Sequence, residues 1–179
     1  MMVTNRRVDI INEGFDLALR VRSNLDDDPN LVIRKFETIE QHLFASQAYL
    51  NKFGELKQPE DLSQHQILSM ADEHLDQHII VTDAQHHQKK IKVNPTVMGS
   101  DLSMLAALAC QDCGVVLLPD SIVSDHVKSG ALVHVLPEWK AAHGIFHAVY
   151  PSRRGLLPAV RVFIDYLVEK LSQHEHAKF

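Results

Sequence analysis

Residues 101–136 restrict the fold of this chain more than any other stretch. Leu102, Leu105, Ala106 and Ala109 fall at i, i+3, i+4 and i+7, which lays one apolar stripe along a helix over Asp101–Cys113. Ser100 or Asp101 caps its start and Gly114 provides its end. Val115-Val-Leu-Leu118 follows with no polar alternation. A strand of that kind needs cover on both faces, which favours a parallel sheet between helices. A second helix from Pro119 to about Ser129, stopped by Gly130, leads into a strand over Ala131–Leu136. Helix, strand, helix, strand is the order of an α/β domain.

The flanking segments extend the same pattern. Val8–Ile11 predicts a short helix ending at Gly14, and Phe15–Arg22 alternates as a strand. The acidic stretch Asn24–Asn30 is a loop, without the glycine and terminal glutamate of a calcium-binding loop. Leu31–Phe36 and Gln41–Ser46 are extended. Ser46 then caps a helix over Gln47–Phe53 that Gly54 stops. Pro59–Leu62 predicts one helical turn and Gln66–Met70 a strand, while His78–Thr82 and Lys89–Val97 flank a polar tip as a hairpin. After the polar crossing Pro137–Gly144, Ile145–Tyr150 is a strand. Pro158 opens a last helix whose stripe is Val160, Phe163, Ile164, Leu167, Val168 and Leu171.

Composition removes several functions. A net charge of −5 over 179 residues, with Lys and Arg scattered singly or in pairs, makes no basic stripe for a phosphate backbone. No signal peptide follows Met1 and no run reaches the roughly 18 apolar residues of a membrane span, so the expected compartment is the cytoplasm. The two cysteines form Cys110-Gln-Asp-Cys113. They lack the further ligands of a zinc site and lie at the end of a helix, where a reactive thiol gains nothing from the dipole; small core-facing thiols are expected. Twelve histidines are dispersed, the pair His86 and His87 sitting in a hairpin tip and His174 and His176 in the tail, so no metal site is expected. No nucleophile elbow and no phosphate-binding glycine loop occurs. Neither a catalytic residue nor a cofactor is therefore assigned.

Several blocks, in order, resemble the effector-binding domain of LysR-type transcriptional regulators. They are Asn5-Arg-Arg-Val-Asp-Ile-Ile-Asn-Glu-Gly-Phe-Asp-Leu-Ala-Leu-Arg20, Leu43-Phe-Ala-Ser-Gln-Ala-Tyr-Leu50, Pro59-Glu-Asp-Leu-Ser-Gln-His65, Ser100-Asp-Leu-Ser-Met-Leu-Ala-Ala-Leu-Ala109 with Gly114-Val-Val-Leu-Leu-Pro119, and Ala148-Val-Tyr-Pro-Ser-Arg-Arg154. The resemblance implies two Rossmann-like lobes of the type 2 periplasmic-binding kind, residues 1–43 with 147–179 as the first and 44–146 as the second. It also implies that the first lobe lacks its first strand and helix and that the DNA-binding helix-turn-helix lies outside this chain. A small-molecule effector would sit between the lobes. Its partners would be further copies in a dimer or full-length tetramer, and DNA through the missing domain only. Asp112-Cys113-Gly114 departs from the family, which commonly has two glycines there.

In open α/β sheets, strand carboxyl ends and helix amino ends converge where ligands collect. On that logic Arg20, Arg22 and Ser23, then Ser46, then Ser100, Asp101 and Leu102, and finally Tyr150 are candidate effector contacts. Structural roles compete with each: Ser100 and Asp101 as caps, Arg20 as an ion-pair partner, Tyr150 as a wall. An incomplete first lobe is expected to pair a strand with another copy or to leave apolar surface exposed. An enzyme and a stand-alone solute-binding protein are the competing functions; turnover of generic esters would favour the former, a leader peptide in the parent gene the latter.

Overall fold

The computed structural model describes residues 2, 8–22, 25, 28–70, 78–152 and 157–175. In chain order the strands are β1 (Ala18–Arg22), β2 (Leu31–Ile39), β3 (Gln41–Ala45), β4 (Ile67–Met70), β5 (His78–Thr82), β6 (Gln88–Lys92), β7 (Pro95–Gly99), β8 (Val115–Pro119), β9 (Val133–Val135), β10 (Lys140–Ala141) and β11 (Gly144–Pro151). The helices are α1 (Gln47–Phe53), α2 (Leu102–Cys110), α3 (Asp120–Lys128) and α4 (Pro158–Glu175), with a 3-10 turn at Pro59–Gln64. The described chain divides into two compact units, Glu40–Ala142 and Arg7–Ile39 with His143–Phe179.

The first unit is built on a five-stranded sheet of order β7-β4-β8-β3-β9. Strand alternation sends successive side chains to opposite faces, and both faces are filled. Leu43, Ala45, Ile67 and Val115 join Tyr49 and Leu50 of α1, Leu62 of the 3-10 turn, and Ile79, Val81 and Ile91 of the small antiparallel sheet β10-β5-β6 in one core. Phe44, Leu68, Val116 and Leu118 join Leu105, Ala106 and Ala109 of α2 and Val123 of α3 in the other. The apolar run of β8 is thus buried on both sides, as its composition requires.

Strand direction departs from expectation. β8 is parallel to β4 but antiparallel to β3, so the sheet is mixed. An apolar run reports cover on both faces and carries no information about its neighbour's direction. The stretch Lys89–Val97 likewise splits in two: β6 pairs antiparallel with β5, whereas β7 pairs parallel with β4. Pro95 opens β7, at the edge of the large sheet, where a missing N–H is tolerated.

Helix α2 ends at Cys110, three residues before the expected Cys113. Asp112 adopts φ +59°, and its N–H bonds Ala109 O at 3.2 Å while the Cys113 N–H bonds Leu108 O at 3.2 Å. This is a Schellman ending with a non-glycine residue in the left-handed position. Ser46 Oγ donates a hydrogen bond to the Asp112 carboxylate, which helps to hold a conformation that otherwise favours glycine.

In the second unit, β11 lies between β1 and β2, antiparallel to both. Val8–Ile11 forms a single turn in place of the expected helix: the Asp9 carboxylate accepts the N–H groups of Ile11 and Asn12 at 3.1 and 2.9 Å, and Gly14 reverses the chain at φ +73°. Of the expected α4 stripe only Ile164 is fully buried; Phe163 remains 42% exposed, beside Val162 at 69% and Tyr166 at 53%. Leu19, Val21 and Val32 are also exposed apolar residues of this unit.

Tyr49 ties the first unit together through its phenol. It is fully buried, its oxygen accepts the Gln66 N–H at 2.9 Å, and it lies 3.1 Å from His65 Nδ1. Burial pushes the His65 imidazole below its usual range, with Asp61 partly opposing. Below the ordinary imidazole range of about 6.5 the unfolded chain therefore takes up a proton at His65 before the folded chain does. Stability contributed by neutral His65 is present above that range and lost as pH falls. The urea midpoint is expected to drop between pH 7.5 and 5.5, and His65→Gln to remove part of that drop; an unchanged drop would contradict the assignment.

Candidate functional site

Strands β4, β7 and β8 run the same way and end at Met70, Gly99 and Pro119. Helices α2 and α3 start immediately after the last two, so both present their amino ends at one carboxyl edge of the sheet. Ser100, Asp101 and Leu102 lie here. Asp101 is the N-cap of α2, its carboxylate accepting the Met104 N–H at 2.7 Å. Ser100 is exposed, and the half-buried Leu102 side chain packs into the core beneath the helix. What Leu102 can offer a ligand is its first-turn amide, one of those an α-helix leaves unpaired by its own backbone.

Antiparallel β3 enters the unit at this same edge, Gln41 lying opposite Pro119. Its far end therefore lies at the opposite edge of the sheet, about 16 Å away for five extended residues. Ser46 is at that far end. Its hydroxyl accepts the Tyr49 N–H at 3.0 Å as the cap of α1 and donates to Asp112, beyond the carboxyl end of α2. The structure therefore does not bring Ser46 to the edge that holds Ser100 and Asp101, because a strand antiparallel to its neighbour carries its carboxyl terminus to the opposite edge. Ser46→Ala is expected to cost about 1 kcal/mol or somewhat more through the lost cap, measured by urea unfolding, and to leave ligand affinity unchanged.

Within the second unit the candidates also separate. Arg22, at the end of β1, is in register with Ile145, and Ile145 with Thr38, at the end where the chain leaves through Ile39 and returns at His143. Tyr150 pairs with Val32 at the other end of the same sheet. It is half-buried and is not brought near Arg22. Arg20, between them, gives a 2.6 Å hydrogen bond from its guanidinium to Val8 O, a tie to the preceding turn. Ser23 lies outside the described residues.

Two residues at the first unit's carboxyl edge were not singled out from sequence. Asp120 opens α3, and His42 Nε2 stands 3.5 Å from its carboxylate and 3.8 Å from that of Glu40. The helix-start logic applied to Asp101 would have found Asp120, which directly follows a strand and a proline. His42 had no such signal, because only the β3–β8 register brings it there. Among the described residues, no cluster of three or more His, Cys, Asp or Glu side chains is arranged to hold a metal, and no helix is long and apolar enough to cross a membrane.

A mixed sheet covered on both faces, a helix capped by Asp101 at its carboxyl edge and an antiparallel unit are the features of an α/β domain of the periplasmic-binding-like class. The chain belongs to the LysR substrate binding domain family, whose model matches residues 1–172. It is 31% identical over 176 residues to an HTH-type transcriptional regulator of Xanthomonas campestris pv. campestris, covering 96% of this chain and 50% of that protein. It is 32% identical over 169 residues to the HTH-type transcriptional regulator CrgA of Neisseria meningitidis, covering 93% and 55%. The solved CrgA regulatory domain superposes with a TM-score of 0.72 at 32% identity, over 90% of this chain and 78% of that one. The Vibrio cholerae virulence activator AphB, at 24% identity, shares the fold with a TM-score of 0.77 over 94% and 56%. The chain spans about half the length of the curated relatives it matches.

Proposed function

We propose that this chain is the sensing part of a transcription regulator, which binds a small-molecule effector and transmits its occupancy to a DNA-binding helix-turn-helix domain. The carrying observation is the carboxyl edge of the first unit's sheet, where two helix amino ends meet in a chain whose relatives are HTH-type regulators. An effector with different affinity for two states of the domain shifts their populations, and that shift is the signal. The parent protein would act in the cytoplasm, where the DNA is, as a dimer or tetramer of identical chains, with the effector as its only small-molecule partner.

Ser100, Asp101 and the Leu102 amide are the proposed contacts on this unit. Asp101 already supplies a carboxylate to α2, and Asp120 stands at the start of α3, so this edge favours a hydroxyl or ammonium group of the effector over a second carboxylate. Arg22 is retained as a candidate of the second unit, while Ser46 and Tyr150 are assigned structural roles.

The test is a thermal-shift screen with small polyols, amines and carboxylates, since a ligand bound only by the folded state raises Tm. Asp101→Asn keeps an oxygen for the helix cap but removes the charge. For the compound that gives the shift, it is expected to weaken binding about tenfold, the equivalent of about 1.4 kcal/mol for a hydrogen bond to a charged group. Unchanged or tighter binding would exclude this contact, and a screen with no stabilising compound would count against the sensing role.

A further inference from the structure

Three methionines lie around Gly99 at the carboxyl edge of the first unit's sheet. The chain has five in all, and these three, Met70, Met98 and Met104, are the ones that follow the pair Met1 and Met2. Met70 ends β4 and is in register with Gly99 across the parallel β4–β7 ladder. Met98 precedes Gly99 in β7, and Met104 belongs to the first turn of α2. Helical side chains lean toward the amino end of their helix and cover the preceding turn, which carries the Met104 thioether back over the strand end. Gly99 leaves room for it: a Cβ there would stand 2.2 Å from the Met104 methyl. Met70 is half-buried on this same α2 face, against the core that Val97 and Leu102 also join. Met98 follows Val97 and so points to the opposite face of the sheet, 44% exposed.

Met104 is 43% exposed, although its own N–H is held by the Asp101 carboxylate at 2.7 Å. One helical turn therefore carries both a carboxylate and an apolar thioether. We propose that the effector is an amphiphile, whose hydroxyl or ammonium head meets Ser100 and Asp101 and whose hydrocarbon part lies on Met104 and Met70. The inference rests on the effector reading above and adds the class of molecule. Covering a partly exposed thioether removes apolar surface from water, and the unbranched, polarizable methionine chain adapts to the shape laid on it. A thioether is only a weak acceptor and donates nothing. A polyol laid along the same path would give up hydrogen bonds to water that Met104 and Met70 cannot replace, so beyond the head group the surface selects hydrocarbon over hydroxyl.

The experiment titrates the chain, isotope-labelled at its methionine methyl groups, with ethyl-, butyl- and hexylammonium chloride at constant ionic strength and follows the methyl signals by NMR. The Met104 and Met70 signals are expected to move and that of Met98, on the other face, to stay. Kd should fall about twofold for each added methylene, half the effect of complete burial. Met104→Gln, which keeps the length and helix propensity of the side chain, should fold and lose at least half of this chain-length dependence, whereas Met104→Leu should keep it. Met98→Gln should change none of the affinities. Amines that bind equally whatever their length, or that move Met98 as strongly as Met104, would overturn the proposal and leave the head-group contact standing. If none of the amines moves the Met104 or Met70 signal, the proposal and the Asp101 contact with an ammonium group fail together.

Discussion

Gly114→Ala is expected to destabilise the protein by about 3 kcal/mol or more, enough to lower the urea midpoint sharply or to leave the chain unfolded. Gly114 sits at φ +152°, and a Cβ built there would stand 2.4 Å from Gln66 O and 3.0 Å from its carbonyl carbon. That oxygen accepts the Val115 N–H at 2.8 Å, next to the Ile67 and Val115 pair that begins the β4–β8 ladder. The alanine must distort its own backbone and also push apart two central strands. Strain of this kind costs about 1–3 kcal/mol, and overpacking a rigid neighbour adds about 1–3 more. Gly99→Ala is the control. There a Cβ would meet the Met104 methyl at 2.2 Å, but Met104 is 43% exposed and its flexible end can swing aside. A cost below about 1 kcal/mol is expected. Equal losses for the two alanines in urea unfolding would show that the Gln66 contact does not control the site.

Leu105→Ala should cost about 3 kcal/mol, within the range of about 2–5 for a buried leucine. Leu105 is fully buried in the core with Phe44, Leu68, Val116, Leu118, Val123 and Leu132. Its removal leaves a cavity under the first turn of α2, the turn that presents Asp101 and the Leu102 amide. The neighbouring Met104→Ala, on the exposed side of the same turn, is expected to change stability by no more than about 0.5 kcal/mol. If both variants unfold at the same urea concentration, α2 is not seated through Leu105. The Leu105 variant should also bind the screened effector more weakly, because the amino end of α2 loses its support.

Most elements were legible because their signals are local. Ser46, Gly54, Asp101 and Gly130 mark helix ends through their own side chains or their tolerance of positive φ, and the structure places helix boundaries beside each of them. The hairpin β5–β6 and the doubly covered β8 follow from alternation and its absence. The failures share one cause. Splitting Lys89–Val97 between two sheets, turning α2 at Asp112 and directing β3 antiparallel to β8 all depend on partners distant in sequence. No property of residues 89–97 alone states that one half will pair with β5 and the other with β4.

The candidate site divides along the same line. The sequence by itself determined the α/β class, the family and a helix start at Ser100 or Asp101, which the structure assigns to Asp101, because patterning and capping act over a few residues. Only the tertiary structure decided which edge each candidate occupies. It kept Ser100, Asp101 and Leu102 together, added His42 and Asp120, and carried Ser46 to the opposite end of the sheet and Tyr150 away from Arg22. The physical reason is strand direction: reversing one strand leaves its hydrophobic pattern intact but exchanges its ends, so burial is encoded locally while the edge a residue reaches is set by pairing.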